Sequence, residues 1–233
     1  MNSNITIISC NYHSKEFAEL LVKSIMVFSN NKHPIVIMDN SGIQELFTCE
    51  EYIVVKMEKN MGHGGGLDYL ISNYVNTEFT LVFDIDAHIL RSGYDLEFLK
   101  IMENEKIGLI APYRGAAKPI HPGVMFFRTE EIKNKIPIKP FNVEIDNYMP
   151  IQMDVGQFVP MCLNQMFLKQ TIVLKTEAPV YKDVHGQTWM LNGKPTFYHF
   201  GYGTRLYGKI EHAGLKKSDI DNMQRILLSQ IKF

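Results

Sequence analysis

The chain has 233 residues, 45% of them hydrophobic and 21% charged, which suffices for one sizeable core. A formal net charge of -1 excludes the basic surplus of a dedicated nucleic-acid binder. The three cysteines, Cys10, Cys49 and Cys162, are widely spaced and odd in number, so they form neither a disulfide framework nor a zinc pattern and suit a reducing cytosol.

The opening Met1-Asn-Ser-Asn has no basic region leading into a long apolar stretch, so no signal peptide is expected. No apolar run reaches the length of a bilayer span. The expected location is cytoplasmic, with at most peripheral membrane contact. Ile5-Thr-Ile-Ile-Ser-Cys10 is a β-rich run and a buried-strand candidate. From Ser14 a helical pattern follows, with Phe17, Leu20, Leu21, Ile25 and Phe28 at 3–4 spacing and Glu16 in the first turn. Asn30-Asn31 stops it, and Ile35-Val-Ile-Met-Asp39 is the second strand. A short helix is expected near Ile43–Phe47, then a strand over Tyr52–Met57, a glycine-rich loop over 62–66 and a helix over Leu67–Tyr74. Phe79–Phe83 is the next strand. Repeated β-α-β implies right-handed crossovers and a mainly parallel mixed sheet flanked by helices, an α/β fold whose ligands bind beyond the carboxyl ends of the strands.

The second half is less regular. A helix is expected over Gly93–Asn104, a strand over Ile107–Pro112, and a turn and strand over His121–Arg128. Ile136–Tyr148 reads as a loop, and the stretch from Asp154 to Leu168 is helical in its second half, interrupted by Pro160. Ile172–Lys175 is a late strand, and an amphipathic helix runs from Ser218.

The most informative chemistry is Phe83-Asp84-Ile85-Asp86, an apolar strand that ends in two carboxylates one residue apart. Strand side chains at i and i+2 share a face, and two like charges so placed call for a cation. Hard oxygen ligands suit Mg or Mn, which can bridge a diphosphate. Asp219-Ile220-Asp221 repeats the three letters, but it follows Ser218 and reads as the acidic start of a helix.

The segment Asn60-Met-Gly62-His-Gly-Gly-Gly66 joins a strand to a helix; its glycines let backbone N–H groups approach a ligand. It lacks the Lys-Ser/Thr ending of a P-loop and the position of the dinucleotide fingerprint. Asp39, before Asn40-Ser41-Gly42, either accepts hydrogen bonds from a base or ribose or holds an Asx turn. Cys10-Asn11, Asp39-Asn40, Asn60–Gly66 and Asp84–Asp86 all fall at carboxyl ends of expected strands.

In their order and spacing, Ile-Ile-Ser-Cys10-Asn11-Tyr, Val-Ile-Met-Asp39-Asn40-Ser41, Asn60-x-Gly62-x-Gly64-Gly65-Gly66 and Phe-Asp84-Ile85-Asp86 resemble a GT-A glycosyltransferase, the inverting group with bacterial rhamnosyl- and galactofuranosyl-type enzymes. The resemblance covers residues 4–130 well and the remainder loosely. It implies one GT-A domain over 1–233, with a nucleotide-sugar half to about 115 and an acceptor half from about 116. Carried over, Cys10, Asn11, Asp39, Asn60, Gly62, Gly64, Gly65 and Ile85 serve the donor, Asp84 meets ribose or the metal, and Asp86 ligates Mn2+ or Mg2+. The family also implies a late histidine ligand and a catalytic carboxylate. His199, in Phe197-Tyr-His199-Phe-Gly, is either that ligand or a core histidine. Asp154 is chosen as the base, with a helix cap as its other reading and Glu144 and Asp146 as rivals. His121, Gly123, His185 and the sole tryptophan, Trp189, are placed on the acceptor side; His63 and His88 are either site or surface residues. The implied partners are a nucleotide-diphosphate sugar and a glycan, lipid-linked or protein acceptor. The alternatives are a nucleotidyltransferase and a noncatalytic sugar- or nucleotide-binding module.

Overall fold

The computed structural model describes residues 4–115, 118–139, 141–143, 151–153 and 155–201, with 222, 225–226 and 229–231 near the C-terminus. In chain order the elements are β1 (Ile5–Asn11), α1 (Lys15–Phe28), β2 (Ile35–Asp39), β3 (Ile53–Lys56), α2 (His63–Tyr74), β4 (Phe79–Phe83), β5 (Ala87–Ile89) and α3 (Tyr94–Met102). Then come β6 (Ile107–Gly115), β7 (Lys118–Ile120), β8 (Val124–Arg128), α4 (Thr129–Ile132), β9 (Phe141–Val143), β10 (Ile151–Met153) and α5 (Val159–Phe167). The series closes with β11 (Gln170–Glu177), β12 (Gln187–Leu191) and β13 (Lys194–His199).

One mixed sheet carries the fold, in the order β3-β2-β1-β4-β8-β6-β11-β12-β13-β5, with β7 paired to β6. Pairing is parallel across β3-β2-β1-β4 and between β6 and β11. It is antiparallel at β4·β8, β6·β8, β11·β12, β12·β13 and β13·β5, a larger antiparallel share than the β-α-β alternation of the first half predicts. The central strands are apolar on both faces because both are covered. Ile5, Ile7, Ile35, Ile37, Leu81 and Phe83 pack with residues of α1 and α3, whereas Ile8, Val36, Met38 and Val82 pack with α2 and α5. β9 and β10 form a separate two-stranded ribbon.

Several expectations are corrected. No helix forms over Ile43–Phe47, because the Asp39 carboxylate accepts the backbone N–H groups of Glu45 and Leu46 at 2.9 and 3.1 Å and folds the segment around the strand end. The glycine-rich segment is not a loop: α2 begins at His63, so Gly64 and Gly65 lie in its first turn. Pro160 does not interrupt a helix but opens α5, where its missing N–H costs nothing. Part of the expected loop over Ile136–Tyr148 is β9. Asp84 and Asp86 are not on an extended strand, since β4 stops at Phe83 and Ala87 N–H bonds to Asp84 C=O at 3.0 Å, closing a turn. Asp154, Glu144, Asp146, Asp219 and Asp221 lie outside the described residues.

Near the C-terminus, positions 222, 225–226 and 229–230 are helical, and Ile226 and Ile231 pack against a cluster of Phe17, Leu20, Val184, Tyr198 and Phe200. No helix among the described residues is long and apolar enough to cross a membrane.

Candidate active site

At the carboxyl ends of β1, β2 and β4 the sheet opens into a cavity of about 500 Å³. Its floor is Asp84, Ile85 and Asp86; Cys10, Asn11 and Tyr12 come from the end of β1, and Asn40, Asn60, Gly62 and His63 from the next crossovers. The facing wall carries Arg114, His121, His185 and His199. Open α/β sheets bind ligands at this edge because the strand ends there leave backbone groups and loop side chains free to converge.

The turn after β4 and the end of β13 build the charged centre. β5 pairs antiparallel with β13, which sets His199 opposite Ala87. The backbone N–H of Phe200 then bonds to Asp86 C=O at 3.1 Å. His199 Nε2 lies 3.2 Å from Asp84 Oδ2 and 3.2 Å from Asp86 Oδ1. His63 Nε2 approaches the other oxygen, Asp84 Oδ1, at 3.2 Å. His121 joins from the turn before β8, its ring centroid 4.6 Å from that of His199. Asp84, His121 and His199 offer ligand atoms that all lie within 4.8 Å of one another.

Charge follows from this packing. Burial disfavours ionisation of Asp84, yet His63 and His199, with His121, outweigh it and hold the carboxyl well below the usual carboxylate range. Burial also opposes charge on His199, but Asp86 and Asp84 raise it to about 10, so the ring is an imidazolium at neutral pH. His121 moves the other way, lowered to about 4 by burial and by the positive His199 beside it. Its Nδ1 accepts the Gly123 N–H at 3.0 Å, which leaves the ring proton on Nε2.

This donor set fits a divalent cation. Asp84 Oδ1 is buried and accepts no hydrogen bond among the described residues; it faces His63 Nε2 at 3.2 Å, an acceptor left with room for a cation. His199 Nε2 stands between two carboxylates, a place that favours positive charge, and its proton would have to leave for a cation to bind there. Carboxylate with imidazole suits Mn and its neighbours better than Mg.

Of the donor residues expected from sequence, Cys10, Asn11, Asn60, Gly62, Asp84 and Ile85 line the cavity. Asp39 does not, because it is 1% exposed and its oxygens accept from the backbone of Ser41, Glu45 and Leu46 and from Asn11. Gly64 and Gly65 lie in α2 and do not line the cavity, and the glycine the packing requires is Gly66. A Cβ at Gly66 would stand 2.8 Å from both Cys10 Sγ and Met38 Sδ. Of the acceptor-side residues, His121 and His185 line the cavity, but Trp189 is fully buried and Gly123 lies against it. His88 is not a surface residue: it is buried, and its Nε2 shares a 2.8 Å hydrogen bond with Tyr181.

Sequence reasoning did not single out Tyr12 and Arg114, and it left His63 open. The position of His63 inside Gly62-His63-Gly64 was the available signal, whereas Arg114 at the end of a strand carries no local pattern.

No protein-family model and no curated protein matches the sequence. Solved structures do. The mannosyltransferase PcManGT from Pyrobaculum calidifontis, in complex with GDP-Man and Mn2+, superposes with a TM-score of 0.57 at 11% identity, over 78% of this chain and 59% of its own. S. aureus TarS superposes with a TM-score of 0.55 at 16% identity, over 99% of this chain and 43% of its own. TarS 1-349 in complex with UDP-GlcNAc gives 0.52 at 15% identity, over 99% and 73%. The fold is GT-A-like. At these identities the likeness is one of fold, and this chain spans 59% of the length of the mannosyltransferase. In this GT-A-like fold the acidic turn sits at the ligand-binding edge of the sheet, facing the late histidine.

Proposed function

We propose that this protein is a metal-dependent glycosyltransferase that moves a sugar from a nucleotide-diphosphate donor to an acceptor hydroxyl with inversion. The observation that carries the reading is the contact of Asp84 and Asp86 with His199 on the floor of a polar cavity at the strand ends. The matched structures with GDP-Man and Mn2+ and with UDP-GlcNAc support the choice of donor class.

In this reading Asp84, Asp86 and His199 would hold Mn2+, and His121, whose Nδ1 is taken by the Gly123 N–H, packs beside His199. The ion supplies Lewis-acid neutralisation of charge on the leaving diphosphate. Asn11, Tyr12, Asn40, Asn60 and His63 form the donor side of the cavity. His185 and the neighbouring wall receive the acceptor. Asp154 takes the acceptor proton at its carboxylate as attack occurs from the face opposite the leaving group. Its sequence neighbour Val155 lines the cavity, which supports that choice. The 1–115 half then serves the donor and the 116–233 half the acceptor, a glycan, lipid-linked or protein hydroxyl.

A panel of nucleotide sugars that includes GDP-mannose and UDP-GlcNAc tests the reading by thermal shift with and without Mn2+. One donor should raise Tm in the presence of Mn2+ and be slowly hydrolysed without acceptor. Binding with no hydrolysis and no transfer would make the protein a noncatalytic binding module. Against a nucleotidyltransferase, β1 leads into Tyr12-His13-Ser14 rather than a Gly-rich basic loop.

A further inference from the structure

Trp189, the single tryptophan of the chain, lies behind the charged centre and not in the cavity wall. On the β12·β13 pair it stands opposite Phe197, which makes His199 its diagonal neighbour on the same face, a separation that aromatic side chains bridge. The two rings stack with centroids 5.0 Å apart and planes 17° apart. The His121 ring meets the indole at 5.2 Å and 48°.

Room for the indole depends on Gly123. A Cβ there would stand 2.5 Å from Trp189 Cη2, 2.9 Å from His121 Nδ1 and 3.2 Å from Asp84 Oδ2. Tryptophan, His121 and the first aspartate are therefore packed around one missing methyl. The indole N–H finds no acceptor among the described residues. An unpaired buried donor carries a cost that phenylalanine would avoid, so the N–H is not what the indole contributes. Its contribution is a broad face laid on the His199 ring.

We infer that Trp189 is a positioning residue of the cation site: its face fixes the plane of the His199 imidazole so that Nε2 stays aimed between Asp84 and Asp86. The terminal torsion of histidine is broad and two-fold, so the ring needs walls to hold one setting. The indole is the wall on one side, its plane lying 17° from that of the imidazole. This inference rests on the cation-site reading above.

The test is Mn2+ binding to the nucleotide-free protein, with the free ion counted by electron paramagnetic resonance. Trp189→Leu should weaken Mn2+ binding by on the order of tenfold or more, the usual cost of losing a residue that orients a ligand. Trp189→Phe, which restores an aromatic face, should recover most of that loss. Phe98→Leu, an equally buried change in the core, should leave Mn2+ affinity at the wild-type value. Should Trp189→Leu not fold, Trp189→Met carries the same comparison with a side chain that fills irregular space. Wild-type affinity in the aliphatic variant, or an equal loss in Phe98→Leu, overturns the inference alone. A wild-type protein that binds no Mn2+ overturns the cation site and this inference together, whereas donor binding and hydrolysis test the transferase reading separately.

Discussion

His199 Nε2 stands 3.2 Å from Asp86 Oδ1, joining the last residue of β13 to the turn before β5. Only three residues separate β4 from β5, yet β5 is the far end of the hydrogen-bonded strand order. The sheet must therefore curl back on itself, and the Asp84, Asp86 and His199 cluster forms at that closure.

Asp86→Asn should reduce Mn2+-dependent nucleotide-sugar binding by more than about tenfold, because it removes one of the two charges facing His199. Asp86 is 6% exposed, so the isosteric amide is a better test than alanine, which would leave a void. Asp221→Ala repeats the charge loss in the second Asp-x-Asp and should leave binding intact. Calorimetric titration of donor with and without Mn2+ separates the two, and equal behaviour would remove the special role of the first pair.

The glycine motif makes a graded prediction. Gly66→Ala forces a Cβ to 2.8 Å from two sulfur atoms and should destabilise the fold by about 1–3 kcal/mol. Gly65→Ala meets only Met61 Cβ at 3.7 Å within a helix, so it should be neutral or stabilising by up to about 1 kcal/mol. Chemical denaturation ranks the two, and donor titration of Gly65→Ala and a bulkier Gly65→Val shows whether the α2 start touches the donor.

A pH prediction concerns the staple between α1 and α3. Asp95 is fully buried and accepts from Asn30 N–H at 2.9 Å and Asn31 N–H at 3.2 Å, with His33 Nε2 at 3.1 Å. Burial disfavours its charge, but His33 and the two backbone donors prevail and hold the carboxyl below the usual carboxylate range. A depressed carboxyl stabilises the fold above its unfolded value, about 3.9, and that contribution is lost as pH falls through the folded value. Asp95→Asn should therefore lower Tm at pH 7, and the gap to wild type should narrow only below about pH 4. Donor binding should be unchanged, since Asp95 lies away from the cavity. A gap already closed at pH 6 would contradict this account.

Asp154→Asn should lower turnover by roughly 10²–10⁴-fold with donor affinity almost unchanged, the pattern of a lost general base. A helix-cap role predicts near-normal turnover and slightly lower stability instead. Glu144→Gln and Asp146→Asn, assayed beside it, identify the base should Asp154→Asn stay active. Persistent turnover in all three would set aside single-base inversion.

The first half of the fold was legible because its strands are short, apolar on both faces and separated by periodic helices, as in β1, α1, β2 and β4. Such patterns are local, and local chemistry fixes them. Asp84, Asp86 and His199 were each visible as residue types in suggestive settings. Where local reading failed, a distant partner had intervened. His88 is drawn inward by Tyr181, and at Asp39, where an Asx turn and a ligand contact were both open, the turn is present and backbone N–H groups six and seven residues on complete it.

By itself, then, the sequence determined an α/β chain with an acidic strand end, a glycine-rich crossover and a late histidine in an aromatic strand. The tertiary structure decided that these meet, that His63 and His121 join them, and that the lone tryptophan backs His199. The physical reason is reach: periodicity specifies which face of an element is buried, whereas antiparallel closure of β13 on β5 specifies what that face touches.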